Sequence, residues 1–108
     1  MKDITKSQFE KEVRKLFKQY DENDLLLICN IMKGQGMEQD NSIWLEVALC
    51  DNEYNTLLAL DNTSLELENT QDNLNQLKKL QSKWLNKLRK WIKNNNWFID
   101  IEYKEQSI

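Results

Sequence analysis

The chain has no histidine and no proline, and only two glycines and two cysteines among its 108 residues. Histidine is the commonest general base, the usual triad partner of serine or cysteine, and a frequent transition-metal ligand, so its absence excludes conventional hydrolase and zinc chemistry. Cys29 and Cys50 stand alone, which excludes a zinc or thioredoxin-like spacing; both lie in apolar runs, which predicts reduced core thiols and no disulfide framework. The glycines fall together in Gly34-Gln35-Gly36, where a strand follows instead of a helix, so this Gly-x-Gly is not a phosphate cradle. No apolar run reaches the roughly 18 residues of a membrane span, and the charged, amphipathic N-terminal segment lacks a signal-peptide core. The expectation is a cytoplasmic protein without membrane, metal or cofactor.

What is present suits one core. The composition is 40% hydrophobic, with four Trp, three Tyr and three Phe in 13.0 kDa, and a chain of this size buries roughly two-thirds of its unfolded surface on folding. The sequence thus predicts one domain over residues 1–108, folding without bridge or metal as a monomer or homodimer. Asn, Lys and Ile outnumber Ala and Arg, a bias expected of a low-GC bacterial or phage genome.

Along the chain, Thr5 and Ser7 are N-cap candidates and Ser7 with Glu10 fits a capping box, while Phe9, Val13, Leu16, Phe17 and Tyr20 recur at helical spacing. A first helix is predicted over about 6–20. The apolar run 25–33 reads as a buried central strand, the glycine-bearing segment 34–41 as a hairpin loop, and 43–51 and 56–60 as further strands. Residues 65–68 read as a strand, although Thr63 and Glu66 could equally open a helix. From Thr70 to Asn94 the pattern is helical, with Leu74, Leu77, Leu80, Trp84, Leu85, Leu88, Trp91 and Ile92 on one side and a stop at Asn94-Asn95-Asn96. Residues 97–103 alternate as a half-exposed strand. The order α-β-β-β-(β)-α-β predicts an α+β fold: an antiparallel sheet of four to five strands with both helices on one face.

Charge is unevenly distributed behind the net −3. Residues 1–20 carry six basic and three acidic side chains, 21–70 one and eleven, 71–93 seven and one, and 94–108 one and three. The helices are basic and the sheet is acidic. Lys79, Lys83, Lys87 and Lys90 form a stripe expected to oppose the Leu/Trp side of the second helix: an ordinary solvated face, or a nucleic-acid contact. If the helices cover one sheet face, the strand positions alternating with the core emerge on the other, namely Trp44, Glu46, Ala48 and Cys50, then Glu66 and Glu68, then Phe98, Asp100 and Glu102. Aromatics among carboxylates are the composition of a patch that docks a basic protein, the rings anchoring and the charges steering. Trp44, Glu46, Glu66, Glu68, Phe98, Asp100 and Glu102 are therefore the candidate protein-binding residues.

Asp100-Ile101-Glu102-Tyr103-Lys104 resembles part of the metal-binding core of the PD-(D/E)xK nuclease superfamily, over those five residues alone. In that superfamily the first Asp lies on the preceding strand, so Glu46, Glu66 or Glu68 would have to supply the second ligand here. In class, the chain looks like the short, acidic, histidine-free proteins of bacteria and phages that block another protein. These include immunity proteins against nuclease toxins, and anti-CRISPR or other anti-defence inhibitors. The leading expectation is a non-enzymatic inhibitor whose acidic surface occupies the basic cleft of a nucleic-acid-processing enzyme. A nucleic-acid-binding accessory protein using the lysine stripe is the alternative, and a metal-dependent nuclease the third.

Overall fold

Thr5 starts the first helix, its Oγ1 accepting the N–H of Gln8 at 3.2 Å while the Gln8 side chain takes the Thr5 N–H at 3.0 Å. In the computed structural model, which describes residues 2–34, 41–61 and 65–104, this box displaces the one expected from Ser7 and Glu10. Helix α1 runs Lys6–Leu16, and hydrogen-bonded turns carry the chain on to Tyr20. A 3-10 turn, Glu22–Asp24, leads into β1, Leu25–Lys33, which pairs antiparallel with β2, Ser42–Asp51. Of the expected hairpin loop, residues 35–40 lie outside the described residues; the Gly34 N–H donates to the Ser42 carbonyl at 2.9 Å where the strands part. β3 is Thr56–Ala59 and β4 is Leu67–Glu68, both antiparallel to β2; Thr63 lies outside the described residues, and 67–68 are strand.

Helix α2, Gln71–Asn94, is capped by Thr70 at one end. At the other, Trp97 N–H reaches the Ile92 carbonyl and Asn96 N–H the Lys93 carbonyl, with Asn96 left-handed at φ 55°. This pairing of the two bonds satisfies carbonyls the helix would leave orphaned, and asparagine tolerates the left-handed turn it needs. It also swings Trp97 back onto α1, where its ring lies 5.4 Å from Phe17 and 6.1 Å from Phe9.

The sheet order is β3-β2-β1-β5, with β4 also on β2, and β5, Asp100–Glu102, lies parallel to β1. The sheet is thus mixed, not antiparallel as expected. The reason is the length of α2: 24 residues span about 36 Å at 1.5 Å each. The helix starts beside β4, which pairs with the Ser42 end of β2, and returns the chain to the level where β1 begins. A strand entering there next to β1 runs the same way. The strand is Asp100–Glu102, shorter than the alternation of 97–103 suggested, with one further backbone bond from the Ile31 N–H to the Lys104 carbonyl at 3.3 Å.

The main core contains Phe9 and Val13 of α1, the α2 stripe, and Leu25, Leu27, Cys29, Ile31, Ile43, Leu45, Val47 and Leu49, so both helices pack on one face. One stripe position differs from expectation, and a neighbour outside the stripe takes its place. Leu80 is 38% exposed, whereas Gln81 is buried, donating from Nε2 to the carbonyls of Cys29 (2.7 Å) and Lys104 (3.0 Å). Lys87 does not oppose the tryptophans; its Nζ sits 4.3 Å from the Trp84 ring centre and 5.9 Å from that of Trp91, shielding both from water.

Candidate functional site

Because the odd-numbered residues of β1 and β2 point into the core, the even-numbered ones line the opposite face, over which none of the described helices packs. Register sets Met32 beside Trp44, Asn30 beside Glu46, Ile28 beside Ala48, and Leu26 beside Cys50; Asp100 and Glu102 follow beside Leu26 and Ile28. Ile28, Ala48 and Cys50 are nevertheless buried, in a second small cluster.

Part of that cover comes from the β2–β3 turn. The Asp51 carboxylate accepts the N–H groups of Glu53 and Asn55, both at 2.9 Å, bonds that hold its carboxyl below the usual range. So tied, the turn places Tyr54 at φ 63°, a left-handed conformation uncommon for any residue but glycine and costing on the order of 1 kcal/mol. From there the Tyr54 hydroxyl crosses β1 to donate to Glu102 Oε1 at 2.9 Å. Asn30 Nδ2 donates to the other oxygen, Oε2, at 3.2 Å. The Asn30 bond first, then that of Tyr54 and the charge of Lys104, hold the Glu102 carboxyl below the ordinary glutamate value; the same carboxylate pushes the Tyr54 hydroxyl up.

A carboxylate cannot donate, so the Asn30 amide must face Glu102 with its NH₂, and Oδ1 points elsewhere. Asn30 is only 6% exposed, and Oδ1 has no donor among the described residues. A buried acceptor left this way costs about 1–3 kcal/mol. The residue, though not this sealed oxygen, lines a concavity of about 330 Å³ with Met32, Glu46, Tyr54, Glu102 and Lys104. A larger hollow of about 370 Å³ lies beside Tyr20, Asp24, Asp51, Asn52 and Glu53, where Asn52 Nδ2 donates to Asp24 at 3.2 Å and Asp51 holds its turn.

The candidate residues divide along this face. Glu46 and Glu102 share the concavity, and Trp44 is half-buried one step along β2. Glu68 pairs with Ser42 at the same end, and Glu66 accepts the Ser42 hydroxyl at 3.1 Å. Asp100 is exposed at the far end, about 20 Å from the level of Trp44 at 3.3 Å per residue. Phe98, 80% exposed, lies beyond it and donates its N–H to Glu22 at 3.2 Å. Phe98 and Trp44 therefore do not form one patch. Lys79, Lys83 and Lys90 are exposed on α2. Of the nuclease-like string, Glu102 and Lys104 meet Glu46 in the concavity, while no group of three or more Cys, Asp or Glu among the described residues is placed to hold a metal ion.

Sequence reasoning missed Asn30 and Tyr54. Asn30 was legible in principle, the one polar residue in the run from Leu25 to Met32. Tyr54 carries no such signal.

Comparison with protein-family models, curated proteins and solved structures gives no match for this chain. No helix among the described residues is long and apolar enough to cross a membrane.

Proposed function

We propose that the protein is a non-enzymatic inhibitor of the immunity or anti-defence kind. In this reading it docks the acidic open face of its sheet onto a basic, nucleic-acid-processing enzyme of bacterial or phage origin. The observation that carries it is the segregation of charge: Glu46, Glu66, Glu68, Asp100 and Glu102 belong to the strands and loop of the uncovered side, while Lys79, Lys83 and Lys90 lie on α2 behind the sheet. An enzyme that grips nucleic acid carries a basic cleft, and a surface of fixed carboxylates competes for it by the same long-range attraction. Trp44, half-buried beside Met32, offers an anchor at one end and Phe98 at the other, so the docked surface runs the length of β1.

The test begins with a partner captured from a bacterial lysate and identified, whose nucleic-acid-processing activity is then assayed with and without the protein. Glu102 is a poor site for charge reversal because two hydrogen bonds converge on it; Asp100→Lys with Glu68→Lys changes exposed charge alone. Association measured by surface plasmon resonance is expected to slow by about tenfold or more in the double variant at low salt, with inhibition lost in parallel. Lys79→Glu with Lys83→Glu and Lys90→Glu is expected to leave both unchanged. The opposite pattern, together with submicromolar nucleic-acid binding that the lysine changes abolish, would establish the basic helix as the working surface and refute the acidic-face reading.

A further inference from the structure

We infer that the notch where the end of β5 meets α2 binds a single phosphate group, free or carried by a nucleotide. It lies on the helical side of the molecule and does not depend on the acidic-face reading. Ser82, Asn86 and Arg89 follow at steps of four and three, so they share a face of α2; the buried Gln81 and Leu85 form the floor, and Tyr103 closes the far side. Together they border a hollow of about 200 Å³. That is less than the roughly 300 Å³ at which pockets for whole drug-sized ligands begin, and it suits one group. Its donors are unspent: the side chains of Ser82 and Asn86 and the Arg89 guanidinium have no hydrogen-bond or ion-pair partner among the described residues. Arg89 instead lies 6.0 Å from the centre of the Tyr103 ring, a contact that restrains the guanidinium at the rim. The other arginine of the chain, Arg14, is already committed to Asn95 Oδ1 at 3.0 Å and to the Trp97 ring.

Charge selects the ligand. No carboxylate lines this notch, whereas three other hollows of the described surface hold Asp24 with Asp51 and Glu53, Glu46 with Glu102, and Glu12. The single acidic residue of α2, Asp72, sits ten positions before Ser82, about 15 Å away along the axis at 1.5 Å per residue. Lys78, Lys79 and Lys93 occupy nearby turns of the same helix and draw anions toward the notch without lining it. A cation would meet Arg89 with no carboxylate to hold it, and an apolar group would find little beyond Leu85 and the Tyr103 ring. A carboxylate anion is satisfied by the guanidinium fork alone, because its two oxygens match two parallel N–H groups. Phosphate has further oxygens, and Asn86 and Ser82, on the two preceding turns, supply further donors to meet them.

The experiment uses the full chain, labelled with ¹⁵N and ¹³C and titrated at low, constant ionic strength with inorganic phosphate, and in parallel with acetate, adenosine 5′-monophosphate and adenosine. Saturable shifts of the Asn86 side-chain NH₂, the Arg89 Nε–H and the Ser82 amide are expected with phosphate, with an affinity for acetate weaker by about fivefold. Arg89→Lys keeps the charge but loses the fork, and is expected to weaken phosphate binding about fivefold. Lys90→Gln, one position along but outside the notch, is expected to change it by less than about twofold. Both positions are exposed, so the fold persists, and unmoved core amides confirm it. Tighter binding of the monophosphate, with Tyr103 ring shifts that adenosine alone does not produce, would make a nucleotide the source of the phosphate; equal or weaker binding would make it the free anion. No saturable response to either phosphate compound, equal affinity for acetate, or shifts spread alike over Lys79, Lys83 and Lys90 would each overturn the inference. So would an Arg89→Lys variant that binds as the parent does, or a response lost in Lys90→Gln.

Discussion

Gln81→Leu isolates what one buried amide contributes to joining the helical layer to the sheet. Leucine nearly matches glutamine in size, so no large cavity opens, and the change is almost purely one of polarity. Two hydrogen bonds are lost, at 2.7 Å to the Cys29 carbonyl and 3.0 Å to that of Lys104. The Lys104 carbonyl keeps the Ile31 N–H at 3.3 Å, so the Cys29 carbonyl bears most of the deficit. At about 1 kcal/mol per bond and about 1–3 for a stranded acceptor, less about 1 for the better transfer of leucine, the net loss is about 2–4 kcal/mol. For a domain of this size that lowers Tm by about 8–30 °C. Urea unfolding followed by tryptophan fluorescence gives the free energy, and hydrogen exchange at Ile31 reports whether the end of β5 has loosened. A variant as stable as the parent, with unchanged exchange at Ile31, would show that the amide does not tie α2 to the sheet.

Trp84→Ala is expected to cost about 3–5 kcal/mol, since the ring is 3% exposed and packs edge-on against Trp91 at 6.4 Å; calorimetry giving less than about 1 would mean the helix face collapses to fill the space. Because the Glu102 carboxyl is held below its ordinary value of 4.5, the stability it lends is present above that value and drains away as pH falls through the lowered one. Denaturant titrations across that acid range are expected to flatten in Glu102→Gln and to flatten in part in Tyr54→Phe, and an unaltered pH profile in both would contradict the hydrogen-bond geometry.

The long elements were legible because each repeats its signal. Helix α2 shows seven turns' worth of apolar recurrence, and β1 and β2 match the expected spans to within a residue. Alternation also predicted the face that Asp100 and Glu102 take beside Leu26 and Ile28. A period of two, however, reads the same in either direction, so the parallel course of β5 was invisible until the length of α2 fixed where the chain returns. Alternation likewise assigns a face but no position along it, which is why Trp44 and Phe98 were grouped though they sit at opposite ends. Leu80 and Gln81 are neighbours at the margin of one stripe, and the helix's rotation against β1 decided between them. Lys87 flanks the same stripe closely enough to fold onto Trp84. Tyr54 owes its conformation to carboxylate bonds from Asp51, a local geometry that residue preferences alone assign to glycine or asparagine.

β5 comes from the end of the described chain, is paired over three residues, and reaches its hydrogen-bond partner Asn30 across 72 positions of sequence. Short edge elements of this kind open more readily than the core behind them, and opening of this one would take Glu102 and Lys104 out of the concavity and break the Gln81 bond to the Lys104 carbonyl. Binding of any ligand in that concavity would therefore be linked to closure of the strand. A ligand at a hundred times its dissociation constant adds about 2.7 kcal/mol to the closed form, and any change that frays the strand weakens the ligand by the same linkage.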